Sequence, residues 1–244
     1  MNRDLNKYEK DYKATPFEET MAGIRKGMLL EFLGKHQFRN VVEVGCAEKS
    51  LFESLNDFQS FTVIEPCEAF FAKAQTAARA HKAAPRIQLF QQLFEDFDAK
   101  VPMDCIIISS LLHELPTPKA MLEHAYGIAP EGCWLHVNVP NAKSFHRLWA
   151  KEAGLIKDEY QRSDTDIRMQ RNHTFDLEGL GQLLRDAGFS LVESGSYFIK
   201  PFTHAQMQQL IGLGVLSEAL MDGLIKMERH LPGLGAEIFV NARK

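Results

Sequence analysis

The residues with chemistry to offer fall in a few short stretches. One is Val41-Val42-Glu43-Val44-Gly45-Cys46-Ala47-Glu48-Lys49-Ser50, where an apolar run carrying an acid meets a single glycine and then turns charged. A glycine at a strand end lets the backbone turn sharply and lets a ligand approach the main chain. About twenty residues on, the apolar run Phe61-Thr62-Val63-Ile64 ends in Glu65. That spacing places an acid to accept hydrogen bonds from both hydroxyls of an adenosine ribose. A dinucleotide fits the pair poorly. Where its pyrophosphate needs glycines, the loop holds Cys46, Ala47, Glu48 and Lys49. Three histidines, His113, His146 and His173, follow later apolar runs. An imidazole titrates near neutral pH and suits removal of a proton from a bound hydroxyl or ammonium. Each can equally be a structural histidine on a helix face.

These groups need elements to position them. Short β-branched or aromatic runs recur at Val41–Val44, Phe61–Ile64, Ile87–Phe90, Cys105–Ile108 and Trp134–Val139. Two further strand candidates are Phe189–Ile199, interrupted by Gly195, and Ala236–Ala242. Apolar residues at helical spacing lie between them, as in Phe70, Phe71, Ala74, Ala77 and Ala78, and in Met121, Leu122 and Ala125. Pro118 suits the first turn of the latter helix. Phe175 to Ala187 reads as an amphipathic helix stopped by Gly188, and Thr203–Leu231 as a helical pair broken near Gly212-Leu213-Gly214. Strands alternating with helices predict an α/β protein with a mostly parallel sheet covered on both faces. Ligands of such sheets bind beyond the carboxyl ends of the strands, where Gly45 and Glu65 both fall. Residues 141–172 break the pattern, being polar, mixed in charge and without a strand signal. The expected organisation is one domain over residues 1–244. Its additions are an N-terminal helical segment (1–30), a cap insertion (141–175) and a helical insertion before the last strand (200–232).

S-adenosylmethionine has no phosphate, and its ammonium and sulfonium welcome an acid such as Glu43. Here the chain resembles the class I S-adenosylmethionine-dependent methyltransferases of the small-molecule type. Their first motif is matched by Val42, Glu43, Val44 and Gly45, with Ala47 and Lys49 at its second and third glycines. Ala47 fits that place at a negative φ, and Lys49 implies a slightly more open loop. The resemblance implies a Rossmann-like, doubly wound sheet of seven strands with S-adenosyl-L-methionine as cofactor. It makes Glu65, followed by Pro66, the ribose-binding acid. Leu93-Phe94-Glu95-Asp96-Phe97 resembles the segment lining the adenine, where Phe94 offers surface and a backbone N–H and Glu95 or Asp96 an acceptor. Ser109, Ser110 and Leu111 end the strand that passes beneath the methionine part, while Cys46 and Ala47 complete the loop. Ala129-Pro130-Glu131-Gly132 matches the family's turn before the fifth strand. Relatives also fold an N-terminal segment over the cofactor, a place for Tyr8, Tyr12 and Phe17.

The implied activity is methyl transfer to a hydroxyl, amine or acid group of a small molecule, anionic and sugar-related acceptors among them. A catalytically weakened S-adenosylmethionine-binding protein acting by interaction is the alternative. The candidate bases are His173, His146 and His113. Arg147, Arg162, Arg168 and Arg171 of the cap offer a grip on an anionic acceptor, against the plainer reading of a solvated helical cap. Asn138-Val139-Pro140-Asn141 is reminiscent of the Asn-Pro-Pro-Tyr element of DNA adenine methyltransferases, but it follows the fifth strand rather than the fourth. A net charge of −4 also gives no reason to expect a nucleic-acid partner. No apolar run reaches the roughly 18 residues of a membrane span. The polar N-terminus is no secretory signal, and the four cysteines read as buried thiols of a cytoplasmic protein. No metal is expected, because the carboxylates and histidines show no ligand spacing and a sulfonium needs no Lewis acid.

Overall fold

The computed structural model describes residues 4–98 and 100–244, excepting the side chains of residues 6, 8, 9 and 13. Two helices, α1 (Leu5–Lys13) and α2 (Glu18–His36), lead into β1 (Asn40–Val44) and β2 (Ser60–Ile64). Helix α3 (Glu68–Ala80), β3 (Ile87–Phe90), β4 (Cys105–Ser109), α4 (Pro118–Ile128) and β5 (Trp134–Pro140) continue the alternation. The cap carries α5 (Phe145–Glu152) and α6 (Asp164–Arg168). It is followed by α7 (Leu177–Asp186), β6 (Ser190–Tyr197), α8 (His204–Gly212), α9 (Glu218–Lys226) and β7 (Glu237–Arg243).

The strands form one sheet in the order β3-β2-β1-β4-β5-β7-β6. Six run in one direction, and β7 alone is antiparallel, to both of its neighbours β5 and β6. Alternation along each strand divides the core between the two faces. Val42, Val44, Ile106, Ile108, Leu135 and Val137 pack with Leu122 of α4 and Leu180 and Leu184 of α7. Val41, Phe61, Val63, Cys105 and Ile107 pack with Leu29, Phe32 and Leu33 of α2 and Ala74 and Ala78 of α3. A third cluster joins Phe17 and Met21 to Tyr197, Phe198 and Met207, so the N-terminal segment is seated on the end of β6 and on α8.

The expected elements are all present, with local differences. Phe175 lies outside its helix because Asp176 is the cap, its carboxylate accepting the Gly179 N–H at 2.8 Å. Gly195 stays within β6, where an added Cβ would meet the Phe239 ring at 3.0 Å, and the irregularity of that strand falls at Leu191/Glu193 instead. The four cysteines are free and buried. Among the described residues no helix is long and apolar enough to cross a membrane.

Candidate active site

Gly45 leaves β1 at φ 76° and donates its N–H to the Ile64 carbonyl at 2.8 Å, while the Glu65 N–H reaches the Phe90 carbonyl at 3.0 Å. Three parallel strand ends are thereby stitched side by side. The Glu65 carboxylate is 5% exposed and accepts from the backbone N–H groups of Cys46 (2.9 Å), Ala47 (3.4 Å) and Cys67 (2.8 Å). Burial raises its pKa against the pull of these three amides. Gly45 and Glu65 thus meet through the loop between them.

Two loop residues differ from expectation. Ala47 sits at φ 47° rather than a negative angle, because the loop turns back to present its N–H to Glu65. Glu43 is engaged within its own loop. Its carboxyl takes the Ser50 hydroxyl and, at 3.2 Å, the Leu51 N–H, so it anchors the far side of the loop. Burial pushes its pKa up to about 8. Glu48 is paired with Lys73 of α3, and Lys49 is exposed.

The other expected cofactor residues line the same edge. Cys46 is buried and burial pushes its thiol pKa up, while Pro66 is half-buried. Ser109 closes β4, and Ser110 adopts φ 51° with its N–H on the Asn138 carbonyl at 2.9 Å. Leu111 lies over Gly45, its Cδ2 being 3.8 Å from where a Cβ would stand. Phe94 departs from expectation. A 3-10 turn over Phe94–Asp96 swings its ring inward onto Phe97 and His124, leaving it 2% exposed. The accessible apolar surface there is Leu93, 50% exposed, beside an exposed Glu95.

The N-terminal segment lies across the crevice. Tyr12 meets Phe70 edge-on at 6.1 Å, and burial, then Glu18, then Glu48 and Glu114, push its pKa up to about 12. Asp4 and Gln170 exchange hydrogen bonds of 3.0 and 3.1 Å, and Lys7 reaches the Arg168 carbonyl at 3.1 Å, tying α1 to the cap. Phe17 stacks on Phe198 at 6.1 Å. The side chain of Tyr8 and residues 1–3 of the expected 1–30 segment lie outside the described residues.

The three candidate histidines are not equivalent. His113 is buried in the turn after β4, and its carbonyl receives the N–H groups of Asn172 (2.8 Å) and His173 (3.0 Å). His173 stacks on Phe175 and turns Nε2 toward the Pro116 carbonyl at 3.3 Å. His146, at the start of α5, bonds Ser144 through Nδ1 at 3.1 Å. Burial, then Lys200, Arg147 and His204, hold its pKa well below the usual histidine range.

Those neighbours define a polar cluster of which the sequence showed only parts. Arg25 of α2 grips Glu237 through Nε (3.1 Å) and Nη2 (2.5 Å) and leans on Glu18 at 3.5 Å. Tyr197 and Asn138 also donate to Glu237. Of the four cap arginines, Arg147 is spent on the carbonyls of Glu159 and Gln161, and Arg162 and Arg168 are exposed. Arg171 alone turns inward, paired with Asp166 at 3.0 Å. Lys200, shortly after β6, lies in the same cluster and is 5% exposed.

Two grooves lie elsewhere, one of about 410 Å³ between α7 and the β6–β7 edge and one of about 390 Å³ at the amino ends of the strands. Neither holds any of the expected site residues. Among the described residues no three His, Cys, Asp or Glu are gathered as metal ligands.

A family model described as a methyltransferase domain matches residues 17–194, from the start of α2 into β6. The chain belongs to that methyltransferase family. Its fold is that of the class I S-adenosylmethionine-dependent enzymes, and solved structures agree. The N-methyltransferase NodS of Bradyrhizobium japonicum, in complex with S-adenosyl-L-homocysteine, is 14% identical with a TM-score of 0.56, covering 96% of this chain and 90% of its own. Magnesium protoporphyrin IX methyltransferase of Synechocystis, also with that product bound, is 14% identical at 0.56, covering 90% and 81%. A possible histamine N-methyltransferase of Thermotoga maritima is 18% identical at 0.55, covering 84% and 81%. No curated protein matches the chain. The methyltransferase match stops short of α8, α9 and β7, so the cluster around Lys200 and Glu237 is built partly from segments outside it.

Proposed function

We propose that this methyltransferase moves the methyl group of S-adenosylmethionine to a nucleophilic atom of a small molecule held under its cap. The observation that carries the reading is the Glu65 carboxylate, buried at the carboxyl end of β2 and bound by the amides of the loop after β1. The residues present fit that cofactor. Oε1 of Glu65 holds one described hydrogen bond, from Cys67, and keeps lone-pair capacity for a ribose hydroxyl. The loop's cation, Lys49, is exposed, and its acid Glu48 is already paired, so nothing in it calls for a phosphate.

When bound, S-adenosylmethionine supplies an electrophilic methyl group on a positively charged sulfur. The protein then has to position the acceptor, take up its proton and exclude water. For the proton, His146 has the stronger support. Its Nδ1 is bonded to Ser144, which fixes the ring, and with Nδ1–H as the donor of that bond Nε2 is the nitrogen that accepts. Burial and the neighbouring cations keep the ring neutral at the cost of proton affinity. His173 spends Nε2 on a carbonyl in this arrangement. Helix α1, tied to the cap and carrying Tyr12 over the crevice, serves as the cover.

Ala47, a non-glycine residue at positive φ in the binding loop, favours the second reading of a weakened binder. A cost of about 1–2 kcal/mol for such a residue lowers affinity without abolishing it. Calorimetric titration with S-adenosyl-L-homocysteine, followed by incubation of isotope-labelled S-adenosylmethionine with fractionated metabolites and mass spectrometry, separates the readings. Binding with turnover is expected. Saturable binding with no labelled product leaves the interaction role, and no binding sinks both.

A further inference from the structure

Three acids of the polar cluster beneath the cap already have a cation. Glu18 and Glu237 share Arg25, and Asp166 holds Arg171. Arg147 is occupied by two carbonyls. Lys200 is nine-tenths buried, yet among the described residues it makes no hydrogen bond or ion pair. The Nε–H of Arg171 is likewise buried without a partner. Burial, then Arg171 of the cap and Arg147 of α5, lower the Lys200 pKa to about 7 against the opposing pull of Glu237 of β7 and Glu18 of α2. His146 and His204 face it as well, and both have lowered pKa values. A buried ammonium with no counter-ion costs stability unless something else supplies the charge.

We propose that Lys200, with the Nε–H of Arg171, anchors an anionic group of the methyl acceptor, a carboxylate or a phosphate monoester. This rests on the methyl-transfer reading above and adds the acceptor's chemical class. The cofactor's own carboxylate is the other source of a negative charge, and sheet topology disfavours it. Lys200 follows β6, four strands from β1, which at about 4.8 Å per strand is roughly 19 Å from the loop at Gly45. It lies instead beside His146, where the acceptor's nucleophile has its candidate base. Lys200 is therefore a positioning residue, holding the acceptor by a part that does not react.

The test is calorimetry on the protein saturated with S-adenosyl-L-homocysteine, titrated at low ionic strength with sodium phosphate and, separately, sodium acetate, with sodium chloride as control. Saturable binding of at least one of the two oxyanions is expected, and which one binds tells phosphate from carboxylate. Lys200→Met should weaken it at least tenfold, with affinity for S-adenosyl-L-homocysteine within twofold of wild type. This variant replaces an unpaired buried charge with an apolar chain of similar length, so it should melt at or above the wild-type temperature, which guards against simple unfolding. Anion binding should also be accompanied by proton uptake at pH 8 in wild type, and not in Lys200→Met. The proposal falls if neither anion saturates the wild type, if the variant binds them equally, or if its affinity for S-adenosyl-L-homocysteine drops tenfold, which would hand Lys200 to the cofactor. A wild type that does not bind S-adenosyl-L-homocysteine at all would instead remove the methyl-transfer reading.

Discussion

The backbone N–H of Cys46 meets the carboxylate of Glu65 at 2.9 Å, so the loop after β1 is fastened to the end of β2 by the side chain assigned to the ribose. One carboxylate thus shapes the loop, and the proposed ribose contact would use its remaining lone pairs. Glu65→Ala should weaken S-adenosyl-L-homocysteine binding at least tenfold, since hydrogen bonds to a charged acceptor contribute about 1.5–3 kcal/mol each. It also strands the buried amides of Cys46 and Cys67, costing about 1–3 kcal/mol of stability in a urea titration. Glu65→Gln keeps one oxygen acceptor and should fall between. Unchanged affinity in the alanine variant would remove Glu65 from the site.

Ala47 carries the opposite kind of effect. At φ 47° its Cβ is strained by about 1–2 kcal/mol, against the 0.4–1 kcal/mol by which glycine loosens the unfolded chain. Ala47→Gly should therefore be neutral to about 1 kcal/mol more stable in urea denaturation, and it should bind S-adenosyl-L-homocysteine no worse than wild type. A loss of more than about 0.5 kcal/mol would mean that the Ala47 methyl group makes a contact outweighing its strain.

Much of the fold is legible in the amino-acid sequence. The strands from Val41 to Val139 stand where β-branched runs put them, because a parallel sheet buries both faces and leaves long uninterrupted apolar stretches. The spacing of Gly45 and Glu65 places both at neighbouring strand ends, as in the structure, because position along a strand fixes position in space. The Phe94 ring turns in to the core rather than out, because its direction depends on a one-residue phase in a short turn that the sequence pattern does not carry. The positive φ of Ala47 is hidden from the sequence for a similar reason: its N–H donates to Glu65, which stands at the end of another strand. The cluster of Glu18, Arg25, Lys200, His204 and Glu237 was out of reach, because it gathers residues from α2, the end of β6, α8 and β7 that share no local pattern. A lysine directly after the buried run Tyr197-Phe198-Ile199 was the only hint.

Glu43 should make stability depend on pH. Burial raises its pKa from the usual 4.5 to about 8 in the folded chain. Between those values the folded state keeps a proton that the unfolded state has released. Stability from this group is therefore present in full below about pH 4.5 and is lost as pH rises toward 8, by up to about 1.4 kcal/mol per unit. Glu65, raised in the same direction, adds to the trend. Glu43→Gln mimics the protonated form and keeps an oxygen for Leu51. Urea denaturation at pH 5.5 and at pH 8 should show the wild type losing more stability over that interval than the variant. Equal losses would mean that Glu43 is ionised at neutral pH and that the Ser50 and Leu51 donors outweigh its burial.

The last expectation concerns the base. His146 lies beside Lys200 and Arg147, whose charges add to burial in keeping it neutral, while Ser144 fixes its orientation through Nδ1. A positioned base typically contributes about 10² to 10⁴ in rate. Once an acceptor is known, His146→Ala should lower kcat by about that factor, with S-adenosyl-L-homocysteine affinity within twofold of wild type. His173→Ala, which removes a ring stacked on Phe175 and a contact with the Pro116 carbonyl, should act mainly through KM for the acceptor. The distinction is sharpened by pH. Neutral His146 keeps its activity well below pH 6.5, so the kcat profile should show no loss through the ordinary histidine range. Should kcat fall through pH 6.5 in wild type and in His146→Ala alike, the proton goes to another group, and His113, buried directly after β4, is the residue to substitute next.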